Sequence, residues 1–120
     1  MSFHEIKKFT YTMRELGYPK PLGLSTFMKP NFNAMSDALR WLIDAFSTSN
    51  HLSQNKNIID SSNLPLDLEQ EVDRINFVTT AGGLLASKLN IKINTKKLYK
   101  SDVECLSELG KLTTILHKSM

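Results

Sequence analysis

Residues 88–100 hold five lysines and no acidic residue, and they lie between two stretches with helical periodicity. A run of like charges attracts an acidic surface but supplies none of the groups that make or break covalent bonds. Four apolar residues interleave with the lysines and can hold the segment on a core: Ile91, Ile93, Leu98 and Tyr99. The pattern therefore predicts a compact cationic patch that steers the domain towards an acidic protein. A purely solvating role for these lysines stays open as the alternative.

The cations expected to contact a partner come from two parts of the chain. Residues 88–100, the basic segment, contribute Lys92, Lys96, Lys97 and Lys100. The polar face of the first predicted helix adds Lys7, Lys8 and Arg14. Two tyrosines on or near that face, Tyr11 and Tyr18, are further candidates for a partner surface.

Residue types that could support catalysis or bind a metal are scattered. The three histidines, His4, His51 and His117, have no cysteine or carboxylate at the spacing of metal ligands. Cys105 is the only cysteine, which excludes an intramolecular disulfide and suits a small buried residue. Gly82-Gly83 lies inside a helical pattern, where close helix packing is favoured over phosphate binding. We expect no catalytic residue, no cofactor and no metal, and hence a binding protein rather than an enzyme.

Composition narrows the class of partner. The chain has 120 residues, enough for one domain, with a net charge of +3 and a pI of about 9.0. A dedicated nucleic-acid module usually has more arginine and a higher pI. No apolar run is long enough to span a bilayer. We therefore expect a protein partner, with neither nucleic acid nor membrane.

The first two helices have clear signals. Apolar residues recur at helical spacing from Phe3 to Leu16, Ser2 and Glu5 have the spacing of a capping box, and Gly17 marks the stop. A short turn is expected over residues 25–28. The next helix is apolar on most of its surface, which predicts a central, buried helix whose inward residues are Met35, Ala38, Leu39, Trp41, Leu42, Ala45 and Phe46. Residues 47–66 are rich in Ser and Asn and predict a long loop.

Two more helices complete the prediction of an all-α, single-domain fold. A long helix over residues 66–90 has an apolar stripe at spacings of four and three: Leu68, Val72, Ile75, Thr79, Gly82, Ala86 and Leu89. The last helix is expected after Ser101, with a capping box to Glu104 and an inward face of Val103, Leu106, Leu109 or Gly110, Thr113 and Leu116. The chain ends without a helix stop signal, so we expect it to be part of a longer protein.

Several stretches of the sequence resemble one family. They are Met1-Ser2-Phe3, Leu16-Gly17-Tyr18-Pro19, Pro30-Asn31-Phe32, Trp41-Leu42 and, most specifically, the nine residues 91–99. In order and spacing these resemble the N-terminal region of the clusterin-associated protein 1 family, over residues 1–46 and 72–118. Residues 47–63 depart from the family pattern by extra polar residues.

The resemblance implies a fold and a role. The fold is a calponin-homology-like helical domain of the divergent type shared with kinetochore proteins and ciliary transport subunits. The role is that of a non-catalytic scaffold in intraflagellar transport complex B, docking a WD-repeat β-propeller subunit during cilium assembly. A downstream coiled coil is implied in the whole protein, and the location is the cilium or flagellum, the basal body and the cytoplasm.

Two other partners stay open under the same resemblance. Some sister domains bind tubulin, and the lysines of the basic segment could contact its acidic tails. Actin binding is the third alternative, weakened because calponin-homology domains that bind actin usually work in tandem.

Overall fold

A computed structural model of the chain describes residues 3–48 and 68–118, and all regular secondary structure in those residues is helical. The helices are α1 (Phe3–Leu16), α2 (Phe32–Thr48), α3 (Glu71–Leu89), α4 (Thr95–Lys100) and α5 (Cys105–Lys118). The predicted all-α class is confirmed. The finer calponin-homology-like arrangement stays a prediction.

Helix α1 has the predicted bounds and most of the predicted apolar face, although Phe3 at its start is 57% exposed and Leu16 is half-buried. Ile6, Phe9 and Met13 are buried, and they pack mainly against α5. Gly17 ends the helix in the left-handed region, with a φ of 98°, and its N–H donates to the carbonyl of Arg14 at 3.0 Å. Ser2 lies outside the described residues, so the predicted capping box is untested.

Helix α2 is the central helix, as predicted. It packs against α3, α4 and α5, and its fully or almost fully buried residues are Met35, Ala38, Leu39, Leu42, Ile43 and Phe46. Trp41 and Ala45 are half-buried at the edge of this core. The helix continues to Thr48, slightly beyond the predicted start of the loop, and most of that predicted loop lies outside the described residues.

The turn before α2 ties it to a distant part of the chain. Met28 N–H donates to the Ser25 carbonyl at 3.1 Å, which confirms the predicted turn. Asn31 Oδ1 accepts the N–H of Ala34 at 3.1 Å, and Asn31 N–H donates to the carbonyl of Ser101 at 2.9 Å. The first turn of α2 is therefore capped locally and also held by the residue that ends α4.

The predicted apolar stripe of α3 is wrong over its first half. Val72 and Ile75 are 61% and 46% exposed, and Thr79 is also exposed. Gly82 is buried as predicted, whereas Ala86 and Leu89 are half-buried. Leu68 is also half-buried but precedes α3, which begins at Glu71 rather than at the predicted residue 66. The buried face is Phe77, Val78, Ala81, Gly82 and Leu85.

Aromatic packing explains which face of α3 turns inward. The Phe77 ring lies edge-on to Phe32 with 6.4 Å between centroids, and the guanidinium of Arg40 lies 4.9 Å from the Phe77 centroid. Burying the phenyl group of Phe77 beneath a cation stabilises the fold more than burying Val72 or Ile75 in its place would. This fixes the rotation of α3 and leaves Val72 and Ile75 outside.

The end of the basic segment differs from the prediction. The segment contains a helix of its own, α4, which ends at Ser101 in the left-handed region with a φ of 58°. The Ser101 hydroxyl donates to the Leu98 carbonyl at 3.1 Å, so it does not form the predicted capping box with Glu104. The Glu104 N–H instead donates to Asp102 Oδ1 at 3.0 Å. Glu104 is the residue immediately before α5, which starts at Cys105.

The inward face of α5 is largely as predicted. Buried positions on the predicted list are Leu106, Leu109, Thr113 and Leu116, and Val103 is half-buried against the core. The structure adds Cys105, Glu108 and Leu112 to this face, and Gly110 is half-buried. Of these additions, Glu108 is the one with a charge.

Close packing at Gly82, expected from the sequence, is confirmed. A Cβ atom at Gly82 would lie 2.7 Å from Thr95 Cγ2 and 3.7 Å from Ile93 Cγ2. A Cβ atom at the neighbouring Gly83 would meet nothing within 4 Å. The basic segment therefore sits directly on the backbone of α3 at Gly82.

We predict opposite effects for alanine at these two glycines. Gly83→Ala should raise the free energy of unfolding by up to about 1 kcal/mol, because alanine is the better helix former. The free energy of unfolding of Gly82→Ala should be about 1–3 kcal/mol below that of Gly83→Ala, because the Thr95 contact must open to admit the new methyl group. Urea unfolding curves of both variants measure this. Equal shifts of the two midpoints would contradict the close packing at Gly82.

Candidate functional site

Helix α4 carries Lys96, Lys97 and Lys100 of the predicted lysines, while Lys92 lies just before it. The residues of α4 explain why the helix forms. Asn94 Oδ1 accepts the N–H of Lys97 at 3.2 Å and so caps the first turn. Leu98 is fully buried, and the other three predicted apolar residues of the segment are half-buried against the core: Ile91, Ile93 and Tyr99. The predicted anchoring of the segment by its apolar residues is confirmed.

A buried carboxylate fixes the start of α4 to α5. Glu108 Oε1 accepts the N–H of Asn94 at 2.7 Å, and Glu108 Oε2 accepts the Ser107 hydroxyl at 2.8 Å. Lys111 Nζ donates to Glu108 Oε1 at 3.0 Å and to the carbonyl of Lys92 at 3.2 Å. The carboxylate thus links the basic segment to α5 through main-chain and side-chain bonds.

The hydrogen bonds of Glu108 also set its protonation. Burial alone would raise its pKa, but the hydrogen bonds from Asn94, Lys111 and Ser107, together with the charge of Lys111, lower the pKa below its usual value of 4.5. Glu108 is therefore an anion over the physiological range, and it stabilises the fold as an anion.

The lysines of the basic segment differ in their surroundings. Lys92 and Lys96 are exposed, and neither makes an ion pair among residues 3–48 and 68–118. Lys97 is half-buried, and its side chain also has no carboxylate partner in that part of the chain. Lys100 pairs with Glu104, whose hydrogen bond and charge raise the pKa of Lys100. Of the four predicted lysines in this segment, Lys92, Lys96 and Lys97 therefore have no ion-pair partner in the described chain, whereas Lys100 has one.

The cations predicted on α1 form a separate group. Lys7, Lys8 and Arg14 are exposed on α1, which packs on α5 and shares no extensive contact with α4 in the described chain. Tyr11 beside them is 61% exposed. Tyr18 is half-buried, with its ring edge-on to that of Trp41 and 5.4 Å between centroids. Of the seven predicted cations, four therefore lie on or just before α4 and three lie on α1.

Sequence reasoning missed a groove beside the lysines of α4. It has a volume of about 420 Å³ and lies between α3 and α4, with Ile75, Val78, Thr79, Thr95, Lys96, Tyr99 and Lys100 along its walls. The signal for it was present in the stripe assigned to the core, because Ile75 and Thr79 belong to that stripe. A longer apolar stripe than the domain can cover leaves such a surface.

The other chemically active residue types are placed without forming a centre in the described chain. No three His, Cys, Asp or Glu side chains in residues 3–48 and 68–118 come together as a metal site. His4 is exposed, His117 Nε2 lies 3.8 Å from Glu15 Oε1, and His51 is outside the described residues. Cys105 is fully buried, and its burial and the nearby Asp102 charge raise its pKa to about 12. That thiol stays protonated and unreactive.

None of the described helices combines the length and the apolar character that crossing a membrane requires. The described chain is an all-helical domain whose distinctive surface is a short basic helix beside an apolar groove.

Comparison with known proteins gives the family. The family model described as Clusterin-associated protein-1 matches residues 14–120. The chain therefore belongs to the clusterin-associated protein-1 family, as the resemblance of its N-terminal and lysine-rich stretches indicates.

The relatives extend well beyond the matched region. Clusterin-associated protein 1 of Mus musculus is 36% identical over 120 residues, that of Homo sapiens 35%, and the homolog of Danio rerio 32%. Each match covers 100% of this chain but only 26%, 26% and 25% of the respective relative. The chain thus spans about a quarter of the length of these curated relatives. No solved structure matches the chain.

We predict that Glu108→Gln lowers the free energy of unfolding at neutral pH by about 1–3 kcal/mol, because the hydrogen bonds from Asn94, Ser107 and Lys111 lose a charged acceptor. The lowered pKa means that the carboxylate stabilises the fold above pH 4.5 and that this stabilisation is lost as the pH falls through the folded value. The difference between variant and wild type should therefore shrink in acid.

Urea unfolding at neutral and acidic pH measures this effect. Glu104→Gln is the matched control, because its partner is an exposed lysine, and it should change stability by no more than about 0.5 kcal/mol. A constant difference between Glu108→Gln and wild type across the acidic range would contradict an ionised Glu108 in the folded state.

Proposed function

We propose that this domain is a non-catalytic adaptor of intraflagellar transport complex B and that it docks a WD-repeat β-propeller subunit. The observation that carries the proposal is membership of the clusterin-associated protein-1 family, matched over residues 14–120. The proposal includes a calponin-homology-like arrangement of the helices and a place in the cilium or flagellum, the basal body and the cytoplasm.

The charge on α4 supports docking to a protein. Lys92, Lys96 and Lys97 extend from a backbone segment that Glu108 and buried Leu98 hold in place, so the bases of these side chains have fixed positions. A backbone that is already ordered loses little further freedom on binding, and a cluster of positive charges raises the association rate with an acidic surface. A scaffold needs this kind of preformed surface.

Copurification with separately purified complex B subunits tests the proposed partner. We expect the WD-repeat β-propeller subunit to retain the domain in a stable pair. The double variant Lys96→Glu/Lys97→Glu should weaken retention about tenfold or more, because two attractive charges become repulsive.

The matched control is Lys7→Glu/Lys8→Glu, which makes the same charge change on α1. Equal loss with both double variants would show that Lys96 and Lys97 are not the specific contact, because either the α1 cations also touch the partner or net charge governs binding. If the propeller subunit forms no stable pair with the wild-type domain, the proposed partner is wrong.

Direct binding to the acidic tails of tubulin is the second candidate. It is favoured by the exposed lysines on and before α4 that lack ion-pair partners in residues 3–48 and 68–118. An interaction of this kind is weak and is screened by salt, because it depends on exposed charges.

Microtubule pelleting tests this second function. We expect pelleting at low ionic strength that falls steeply at about 0.15 M salt, where the screening length is about 8 Å. The Lys96→Glu/Lys97→Glu variant should reduce pelleting at low salt. Pelleting that the double variant leaves unchanged would rule out a contact through these lysines.

A further inference from the structure

The first half of α3 exposes apolar side chains that no described element covers. Val72 is 61% exposed and Ile75 46%, on a helix whose opposite face is buried in the core. Ile75 also lines the groove of about 420 Å³ between α3 and α4. Contiguous apolar surface beside a groove is typical of a docking site.

The spacing of these residues indicates what shape of partner fits. Val72, Ile75 and Thr79 are separated by three and four positions, and the same alternation continues to Gly82. This is the repeat with which one helix packs along another. We call this row of residues the seam. At Gly82 the seam is already covered, because a Cβ atom there would lie 2.7 Å from Thr95 Cγ2 and 3.7 Å from Ile93 Cγ2. Only the N-terminal half of the seam is open.

The rim of the groove indicates the charge of the partner. Lys96 and Lys100 line the α4 side, and no acidic residue is among the residues that line the groove. Lys100 is paired with Glu104, which leaves Lys96 as the rim cation with no ion pair in the described chain. The acidic residue that borders the groove is Glu71, whose Oε1 accepts the hydroxyl of the lining residue Tyr99 at 3.3 Å. The α4 wall of the groove is therefore cationic.

We propose that the α3–α4 groove binds an amphipathic α-helix of a partner protein, with apolar side chains on Val72, Ile75 and Tyr99 and carboxylates facing Lys96. A helix lying in an apolar groove is a common mode of peptide recognition, and the seam spacing suits it. The site is additional to propeller docking and stands whether or not a propeller binds this domain.

Charge also argues against a second copy of the chain as the occupant. In a two-fold symmetric pair each groove would meet the same surface of the other copy. Where the two-fold axis passes close to Lys96, the lysines of the two copies lie near each other, and like charges at an interface disfavour such a pair. An acidic helix of a different protein avoids this repulsion.

The proposal can be tested with two synthetic helices of about three heptads, each with a Leu/Ile seam. One carries glutamates beside the seam, and the other carries lysines at the same positions. Titrated into the isotope-labelled 120-residue chain, the glutamate helix should shift the amide signals of Ile75, Thr79 and Tyr99. The lysine helix should bind at least about tenfold more weakly, a difference of about 1.4 kcal/mol.

Variants with matched controls locate the contact. Lys96→Glu should weaken the glutamate helix about tenfold and improve binding of the lysine helix, whereas Lys92→Glu makes the same charge change outside the groove and should do neither. Ile75→Glu should weaken both helices, whereas Met28→Glu, at another exposed apolar residue, should leave affinity unchanged. Circular dichroism checks that each variant is folded.

Three results would overturn the proposal. One is the absence of amide shifts at the groove, or shifts confined to another surface. Another is self-association of the free chain that Ile75→Glu abolishes, which would make a second copy the occupant. The third is slow maleimide labelling of Ile75→Cys in the native chain, which would show that the chain covers the groove itself. Buried Cys105 gives little background in that measurement.

Discussion

The hydrogen bond from the Asn94 N–H to the Glu108 carboxylate is the contact on which the position of the basic segment depends. Asn94 also caps α4 through its side chain, so one residue both starts that helix and attaches it to α5. A carboxylate removed from water is stable only when its oxygens are well bonded, and here Ser107 and Lys111 complete its bonding. The position of the α4 lysines follows from this arrangement.

Elements with a single clear signal could be predicted from the sequence. Helix α1 has one apolar face and a glycine at its end, and α2 is apolar almost all round, so most of their buried residues agree with the pattern; the exceptions are exposed Phe3 and the end of α2 at Thr48. Helix α3 offers two overlapping apolar faces, one through Val72 and Ile75 and one through Phe77 and Val78. Periodicity alone does not choose between them, because the choice depends on Phe32 and Arg40, which lie elsewhere in the chain.

Short elements and composite surfaces were beyond sequence reasoning for a different reason. Helix α4 has too few residues to be stable alone, and it forms because buried Leu98 and the bond to Glu108 hold it. The position of the lysine patch could be predicted, but its separation from the cations of α1 could not. The groove combines residues of α3 and α4, and Glu108, a charged residue inside the core, follows no periodic pattern.

The packing of α1 on α5 has a consequence for how the chain folds as it is made. The apolar face of Ile6, Phe9 and Met13 is the first of the described faces to be synthesised, and α5, which covers most of it, is the last of the described helices. That face therefore cannot make its native contacts with α5 until α5 has left the ribosome. Because α1 and α5 are the first and the last of the described helices, their contact joins residues far apart in sequence, and contacts of that kind slow folding.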